Sequence, residues 1–331
     1  MLEEPMAGDQ DDDVVRSHDG VTIVTPHRSA PAADAVDDAS IATVRRLVGG
    51  RHAVVWLYTP MMVALTEAFP SAPVVYDKMD ELAKFALADP RLAGREDELL
   101  RRADVVFTGG RSLYRSVAGR TQNAHLYSSG VDVAHFSSAL VTPAHPELAQ
   151  FAGGPIFAYV GVIDERLDLE LIDGLAAAYP EATVVMIGPV VKIDESALPR
   201  RANIAYLGKR DYDELPSLLA GVNVALMPFA LNDHTQHISP TKTLEYFAAG
   251  RPVVSTAVPD VVGDHRDVAY VAHDRAEFIA MVERARHRDP ARLRRAADSA
   301  ARATWDAIVT AICGDLAAAG ISVHRARAGV R

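Results

Sequence analysis

The stretch Ser-Pro-Thr-Lys-Thr-Leu-Glu-Tyr-Phe-Ala-Ala-Gly-Arg-Pro at residues 239–252 predicts one short helix with a clear start and a clear end. Ser239 is a preferred N-cap residue, and Pro240 suits the first turn of a helix. Gly250 is suited to end the helix, and Pro252 prevents its continuation. The first turn of such a helix presents backbone N–H groups that have no partner inside the helix, and these groups favour an anion.

The side chains of this segment make it a candidate nucleotide site. Lys242 adds an ammonium group to the free N–H groups of the first turn, and phosphate is the usual ligand of that combination. Glu245 lies about two turns from the cap, where its carboxylate can accept hydrogen bonds from the hydroxyls of a ribose. A capped core helix with a solvated lysine is the alternative. The predicted nucleotide-binding residues of this segment are Ser239, Pro240, Thr241, Lys242 and Glu245.

The composition of the whole chain is that of an ordinary globular protein. Its 331 residues are 49% hydrophobic and 24% charged, and this length suits two domains of about 150 residues each. The single cysteine, Cys313, has no partner for a disulfide and forms no zinc cluster, so we expect a cytoplasmic, reducing environment. No apolar run reaches the ~20 residues that cross a bilayer, and Met1–Pro5 does not read as a signal peptide.

The net charge of −10 restricts the class of partner. An acidic chain lacks the basic surface that nucleic acids require, so we expect no nucleic-acid ligand. The segment from Arg275 to the end is rich in arginine, which suits peripheral contact with an anionic membrane surface. Because acids are interspersed with these arginines, the solvated face of terminal helices is the alternative.

Short apolar runs alternate with amphipathic stretches along the chain, as they do in βαβ units. This alternation predicts two doubly wound α/β domains with a cleft between them, each with helices on both faces of a parallel sheet. The predicted division is a first domain at 1–138, a linker at 139–154, a second domain at 155–303 and a terminal helix with a tail at 304–331. The predicted strands are Val21–Thr25, Ala53–Tyr58, Val74–Asp77, Asp104–Thr108, His125–Tyr127, Ile156–Gly161, Thr183–Ile187, Ile204–Tyr206, Val224–Met227, Val253–Ser255 and Ala269–Val271.

The predicted carboxyl ends of the second-domain strands carry glycines and cations. Ligands of doubly wound sheets bind beyond these ends. Glycine lets the backbone approach a ligand closely, and an arginine can hold two phosphate oxygens at once. Each of these strand ends taken alone reads as a turn, but together with Lys242 they predict a pocket for a diphosphate. The candidate residues are Gly161, Arg166, Gly188, Lys192, Gly208 and Lys209, the last two bordering a nucleobase.

Other chemistry-bearing motifs have simpler explanations. The Asp-x-Asp at 211–213 has the form of a metal site, but Glu214 follows Asp211 by three residues and makes a helix capping box. The acids at 11–13 lie in a polar segment that we expect to be mobile. No Walker loop and no Gly-x-Gly-x-x-Gly motif is present. His234 and His237 have no acidic or cysteine companions, so we expect neither a metal nor a cofactor.

Several of these motifs together resemble those of a known enzyme family. The stretch Ile156–Val271 resembles the donor domain of a GT-B glycosyltransferase, most closely family 4 and its relatives in bacterial surface-polysaccharide gene clusters. The resemblance implies two Rossmann-like domains facing across a cleft, with the last helix starting at Trp305 and packing back onto the first domain. It is carried by Gly161 to Arg166, Gly188-Pro189, Tyr206-Leu-Gly208, Val224 to Phe229, Ser239 to Ser255, Ala103 to Ser112 and Ser129-Gly-Val-Asp-Val-Ala-His-Phe136.

The resemblance implies transfer of a sugar from a nucleotide diphosphate sugar, with uridine as the expected base, to a hydroxyl acceptor. It implies that Arg166 and Lys242 are catalytic, because fixed cations stabilise the leaving diphosphate without a metal, and that Glu245 binds the ribose. The resemblance also implies retention of the anomeric configuration, and a lipid-linked glycan as acceptor would suit the family and the arginine-rich end of the chain. Asp77 and Asp80 are the acceptor-side candidates, with a surface role as the alternative.

The sequence departs from the family pattern at three places. His237 stands where the Glu-x7-Glu signature has its first glutamate, and Met79-Asp80 stands where many relatives have a His-Asp pair. The segment Leu2–Pro5 resembles the end of the second strand of relatives, so we expect the N-terminal domain to lack the family's first strand. Two alternatives therefore stay open: a nucleotide-sugar 2-epimerase of the same architecture and a non-catalytic nucleotide-sugar binding partner.

Overall fold

The computed structural model describes residues 1–3, 6–7, 12–18, 21–28, 36–85, 88–232 and 235–322. These residues form two compact units. Unit 1 comprises Met1–Gly109, Leu113–Leu126 and the chain from Cys313 onward, and unit 2 comprises Gly110–Ser112 and Tyr127–Ile312. The domain boundaries drawn from the sequence stay predictions. Glu4, Pro5, Asp11 and His234, which the sequence analysis discussed, lie outside the described residues.

The main sheet of unit 1 is parallel and follows the predicted strands. Its four strands pair in the order β4-β5-β6-β7. A separate sheet has the order β1-β3-β2, in which β3 runs parallel to β1 and antiparallel to β2. The strands of this unit are β1 (Met6–Ala7), β2 (Asp12–His18), β3 (Val21–Arg28), β4 (Val55–Leu57), β5 (Val74–Lys78), β6 (Val105–Thr108) and β7 (Ala124–Leu126).

The strands β1 and β2 are absent from the sequence-based prediction, and the mobile segment predicted at 11–13 is wrong for its two described residues. Asp12 and Asp13 belong to β2, where Asp13 pairs with Pro26 across the ladder. The guanidinium of Arg28 donates to the Asp13 carboxylate at 2.9 Å. A charged residue that has such a partner can occupy a strand. The amino-acid composition of the segment does not reveal that partner.

The core of unit 1 lies on one face of the parallel sheet. Val55, Leu57 and Tyr76 are buried there against Leu99 of the third helix. Alternation along the strands places these side chains on one face and their neighbours on the other. The helices at this end of the chain are α1 (Asp38–Val48), α2 (Leu65–Ala68), α3 (Leu92–Arg102) and α4 (Arg111–Val117), of which α4 begins in unit 2.

Unit 2 contains a six-stranded, wholly parallel sheet. Its order, β10-β9-β8-β11-β12-β13, is that of a doubly wound sheet, because the strand order reverses between β8 and β11. All residues of β8, β11 and β12 are buried, as expected when helices cover both faces. The predicted strands of this half are confirmed. The strands are β8 (Ile156–Val160), β9 (Thr183–Ile187), β10 (Ile204–Gly208), β11 (Val224–Met227), β12 (Val253–Thr256) and β13 (Tyr270–Ala272).

The helices of unit 2 connect these strands and cover the sheet. The last of them begins at Trp305, and its residues from Cys313 onward belong to unit 1, where Asp315 contacts His125 of β7 at 3.0 Å. The helices are α5 (Val133–Ser137), α6 (Leu169–Ala178), α7 (Leu215–Ala220), α8 (Lys242–Ala248), α9 (Pro259–His265), α10 (Arg275–Arg286), α11 (Pro290–Arg302) and α12 (Trp305–Ala318). Single 3-10 turns lie at Pro60–Met62, Leu82–Lys84, Ser138–Leu140, Pro146–Phe151, Glu195–Ala197 and Tyr212–Glu214.

Helix α8 starts later than the sequence predicts. Its N-cap residue is Thr241, without a side-chain capping bond, so the predicted cap at Ser239 is wrong. The backbone N–H and the hydroxyl of Thr243 both donate to the carbonyl of Pro240, at 3.2 and 2.9 Å, and this local bonding sets the first turn. The end of the helix is as predicted, because Gly250 adopts a φ of 66°.

The capping box predicted at 211–214 is confirmed. The Glu214 carboxylate accepts a hydrogen bond from the backbone N–H of Asp211 at 2.9 Å. This pairing accounts for the acidic pair without a metal.

In the described part of the chain, no helix has the length and apolar character that a bilayer span requires.

Candidate functional site

Three predicted glycines lie side by side at the carboxyl edge of the unit 2 sheet. Gly161 follows β8, Gly188 follows β9 and Gly208 ends β10. The N–H of Gly161 donates to the carbonyl of Ile187, and the N–H of Gly188 donates to the carbonyl of Gly208, both at 2.9 Å. A Cβ atom at Gly188 would stand 1.9 Å from the carbonyl oxygen of Gly161. The sequence therefore places backbone without side chains at this edge, where a ligand can approach closely.

Arg166 lies in the loop after β8, at the point where the strand order reverses. Its guanidinium grips the carboxylate of Asp164, with Nε and Nη2 at 3.0 and 2.6 Å from the carboxylate oxygen Oδ2. Asp164 is buried, whereas the Arg166 side chain is 32% exposed. The carbonyl of Arg166 accepts a hydrogen bond from Ala230, three residues beyond β11, at 2.8 Å. This bond ties the loop to the strand on the other side of the reversal.

Helix α8 holds the second predicted cation. The ammonium of Lys242 contacts the Glu245 carboxylate at 2.8 Å, one turn along the helix. The hydroxyl of the buried Tyr246 accepts a hydrogen bond at 2.8 Å from the N–H of Val160, the residue before Gly161. This bond fixes α8 against the end of β8. The structure thus brings the Lys242–Glu245 pair and the glycine edge to neighbouring positions.

The remaining predicted nucleotide-binding residues differ in their surroundings. Lys192 and Lys209 are exposed, on the loops after β9 and β10. Lys192 has a φ of 63°, a conformation that non-glycine residues adopt rarely. Ser239, Pro240 and Thr241 line a cavity of about 20 Å³, together with the buried Asp260 and the partly buried His265. A cavity of this size admits one water molecule and no nucleotide.

A larger cavity lies beside the Arg166 loop. Its volume is about 630 Å³, which is in the range of small-molecule sites. Its wall combines carboxylates with apolar side chains and the cationic Arg275, so it can accept hydrogen bonds from sugar hydroxyls. The lining includes Thr256, whose hydroxyl is buried and has no hydrogen-bond partner among the described residues. The lining carboxylates are those of Asp164, Glu165, Asp168, Glu170 and Asp274.

An aromatic pair near Glu245 was missed by the sequence analysis. The rings of His135 and Tyr212 stack at 4.1 Å with an interplanar angle of 10°. Tyr212 is 49% exposed. Burial raises the pKa of its hydroxyl, and the negative charges of Asp132 and Glu245 raise it further, which places Glu245 near the ring. The available signal was a tyrosine at the exposed start of a helical segment. The sequence analysis interpreted that segment only as a capping box and did not consider its tyrosine.

The acceptor-side candidates lie in unit 1. Asp77 is at the end of β5, and its carboxylate accepts a hydrogen bond from the indole N–H of Trp56 at 3.1 Å. Burial raises the pKa of Asp77, and the indole bond lowers it less. Asp80 is exposed. The partnership with Trp56 could not be predicted, because it depends on the pairing of strands that are far apart in sequence.

Potential metal ligands are dispersed in this fold. The described ranges contain no group of three or more His, Cys, Asp or Glu residues arranged to hold a metal ion. His237, which stands where the family has a glutamate, is partly buried. Its Nδ1 atom is buried and makes no hydrogen bond within the part of the chain that the structure describes.

Comparison with known proteins gives consistent results. Residues 155–287 match the model of the family described as Glycosyl transferases group 1. Over 278 residues the chain is 26% identical to a Bacillus subtilis (strain 168) protein named as the teichuronic acid biosynthesis glycosyltransferase TuaH. That alignment covers 78% of this chain and 68% of the relative.

Solved structures share the fold at low sequence identity. An E. coli structure described as trehalose-6-phosphate bound with UDP-2-fluoro glucose aligns with a TM-score of 0.71 and 13% identity, over 94% of this chain and 91% of its own. Anabaena Alr3699/HepE in complex with UDP aligns with a TM-score of 0.68 and 14% identity, over 84% of this chain and 82% of its own. At these identities the likeness concerns the fold.

Proposed function

We propose that the chain is a glycosyltransferase that transfers a sugar from a UDP-sugar to a hydroxyl acceptor. The match of residues 155–287 to the Glycosyl transferases group 1 model, the Bacillus subtilis relative and the GT-B fold support this proposal. In this proposal Arg166 and Lys242 stabilise the leaving diphosphate. As the bond between the sugar and the diphosphate breaks, negative charge grows on the phosphate oxygens. Cations held in advance at that position lower the barrier.

The observation that carries this proposal is the way the two cations are held. Arg166 and Lys242 each pair with one carboxylate of their own segment, Asp164 and Glu245. Both pairs belong to segments bonded to the ends of β8 or β11, where ligands of doubly wound sheets bind. Both cationic side chains are partly exposed, at 32% and 29%, so a diphosphate can reach them.

The donor would engage this edge through each of its parts. The diphosphate pairs with the Lys242 ammonium in place of Glu245, and the Glu245 carboxylate can then accept hydrogen bonds from the ribose. The exposed ring of Tyr212 offers a stacking surface for the base. Uridine as the base is supported by the UDP and UDP-2-fluoro glucose in the two solved structures with this fold. The cavity beside Arg166 offers carboxylates that can accept hydrogen bonds from the hydroxyls of the donor sugar.

The finer features of the reaction remain part of the proposal. With two protein cations at the leaving group, the reaction needs no bound metal. We infer retention of the anomeric configuration from the resemblance to family 4. The name of the Bacillus subtilis relative supports a role in surface polysaccharide or glycoconjugate synthesis. A lipid-linked glycan at the inner membrane face would suit that role, with the arginine-rich end of the chain contacting anionic lipid from the cytoplasm.

A double variant tests the role of the arginine. Arg166→Ala alone would leave the buried Asp164 without its partner, so we combine it with Asp164→Asn. We expect UDP release from UDP-glucose to fall by about 10²–10³-fold in kcat. The matched control is Arg201→Ala with Asp173→Asn, an exposed pair in which the Nε and Nη2 atoms of the arginine also donate to the carboxylate, both at 2.7 Å. We expect this control to keep the activity of the unmodified chain.

The same assay examines the other parts of the proposal. Lys242→Ala should have an effect as large as the arginine double variant, and EDTA should leave UDP release unchanged. Equal activity of the Arg166 and Arg201 double variants would exclude Arg166 from the mechanism. Conversion of UDP-glucose to an epimer without release of UDP would identify the chain as an epimerase. Binding of UDP-glucose without either reaction would identify a binding partner.

A further inference from the structure

We propose that Trp56, Tyr58 and Asp77 of unit 1 form a binding subsite for a neutral pyranose ring, and that this ring is the hydroxyl acceptor of the reaction. We call these three residues the acceptor subsite. The second half of the proposal rests on the transfer reaction proposed above, and the first half does not. The subsite extends the acceptor-side candidate Asp77 by two aromatic residues and names the class of molecule that they recognise.

The pairing of the strands brings the three residues together. Trp56 on β4 is the register partner of Val75 on β5, and Asp77 lies two residues further along β5. Side chains two residues apart share one face of a sheet, so the indole and the carboxylate lie on the same face. Tyr58 directly follows β4, and the charge of Asp77 raises the pKa of its hydroxyl after the larger effect of burial. The cluster lies at the carboxyl ends of both strands, where parallel sheets bind ligands.

The Asp77 carboxylate retains most of its capacity to accept hydrogen bonds. Its one hydrogen-bond donor within the described ranges is the indole N–H of Trp56. A carboxylate offers about four acceptor positions, so about three are available to hydroxyl groups. Lys78, the next residue, cannot neutralise this charge, because it points to the other face and pairs with Glu96 at 2.5 Å.

The two rings supply the apolar part of the subsite. Tyr58 is 58% exposed, and Trp56 is partly exposed. The ring of Phe107 lies 5.6 Å from that of Trp56, tilted by 31°, and supports it from within the sheet. A pyranose has C–H groups on its faces and hydroxyls on its rim, so it matches rings that lie beside a carboxylate. A phosphate would be repelled by Asp77, and an alkyl chain would offer no hydrogen-bond donor beyond the indole of Trp56 to this carboxylate.

Fluorescence of the full chain tests saccharide binding directly. The chain has two tryptophans, Trp56 and Trp305, so Trp305→Phe leaves Trp56 as the single reporter. The methyl β-glycosides of glucose, galactose and N-acetylglucosamine are titrated separately. We expect at least one of them to give a saturable change in Trp56 emission. Trp56→Phe, in which Trp305 reports, is the matched control and should show no change. Cyclohexanol, an alcohol of similar size without the hydroxyl rim, should give no saturable change.

Substitution of the Asp77 carboxylate distinguishes saccharide binding at the subsite from nonspecific quenching of the tryptophan fluorescence. In the Trp305→Phe background, Asp77→Ala should weaken binding of the responding glycoside at least tenfold, and Asp77→Asn, which keeps the shape, should weaken it less. The absence of a saturable response to all three glycosides would overturn the proposal. An unchanged affinity in Asp77→Ala, with the fold retained by circular dichroism, would overturn it as well.

A kinetic experiment distinguishes failure of the subsite from failure of the proposed function. The responding glycoside should increase UDP release from UDP-glucose, and Trp56→Phe should reduce this increase at least fivefold. Saccharide binding at Trp56 without any UDP release would refute the transfer reaction and keep the binding subsite. An increase in UDP release that Trp56→Phe leaves intact would refute the subsite and keep the transfer reaction.

Discussion

The carboxyl edges of the two parallel sheets differ in how they hold charge. In unit 2, Arg166 and Lys242 are each paired with a carboxylate of their own segment, and glycine backbone lies beside them at the edge of the sheet. In unit 1, Asp77 is an anion whose hydrogen-bond donor is a neutral indole, and its neighbours are aromatic rings. A cation that is paired with a carboxylate but partly exposed can bind an anionic ligand in place of that carboxylate. A lone carboxylate among rings suits a neutral, hydroxyl-bearing ligand.

The two edges also differ in what supports them. Beneath Asp77, on the opposite face of β5, the fully buried Lys78 pairs with Glu96, which also accepts a hydrogen bond from Tyr76 at 3.0 Å. Burial would raise the pKa of Glu96, but the bonds from Lys78 and Tyr76 hold it below its ordinary value. In unit 2 the corresponding lysine pair, Lys242 with Glu245, lies at the rim. The same kind of ion pair therefore has a structural role in one unit and a proposed ligand-binding role in the other.

The largest effect is expected from a methyl group on the glycine backbone of unit 2. In Gly188→Ala the new Cβ would stand 1.9 Å from the carbonyl oxygen of Gly161, and the φ of 146° is unsuited to alanine. We expect a loss of more than about 5 kcal/mol in the free energy of unfolding, or no folded protein. Urea denaturation followed by circular dichroism measures the change.

The matched variant for this prediction lies at the edge of the other sheet. A Cβ at Gly109 would meet the flexible side chain of Met79 at 3.3 Å. We therefore expect Gly109→Ala to change the free energy of unfolding by less than about 1 kcal/mol. Similar losses in the two variants would show that close backbone contact is not what distinguishes the glycine edge of unit 2.

A smaller effect is expected when each lysine is replaced by methionine. Lys78→Met removes the ammonium from the buried Glu96, which keeps hydrogen bonds from Tyr76 and Arg120, so we expect a loss of about 2–3 kcal/mol in the free energy of unfolding. Lys242→Met breaks a pair whose lysine is 29% exposed, and we expect a loss of about 1 kcal/mol or less. Thermal and urea denaturation of both variants provide the comparison. A greater loss in Lys242→Met would contradict the division between a structural and a rim pair.

The strands of unit 2 could be predicted from the sequence because they are buried on both faces. Val224–Met227 is an uninterrupted apolar run, and Thr183–Ile187 is apolar after its first residue; the structure has both strands with the predicted bounds. β2 could not be predicted in this way, because Asp12 and Asp13 read as a polar loop until Arg28 is known to face Asp13. The N-cap at Ser239 failed for a local reason, the bonding of Thr243 to Pro240, which competes with a side-chain cap.

The ion pairs of the candidate site were only partly accessible to sequence reasoning. The spacing of Lys242 and Glu245 is that of side chains on one helix face, so their pairing was a missed signal. The Arg166–Asp164 pair depends on a loop conformation that no spacing rule fixes. The contact of Trp56 with Asp77 depends on strand register, which the apolar pattern places on a face but does not align with a particular partner.

The smallest effect concerns pH and a carboxylate from each unit. Burial raises the pKa of Asp77, whereas the hydrogen bond from Arg201 lowers the pKa of the exposed Asp173. A raised pKa means that stability is lost as the pH rises through the folded-state value, so Asp77→Asn should be more stable than the unmodified chain near neutral pH and equal to it in acid. Asp173→Asn should be less stable near neutral pH and equal in acid. Urea denaturation between about pH 3 and pH 8 measures both differences, and a difference for Asp77→Asn that is independent of pH would show that its carboxylate is as well solvated as in the unfolded chain.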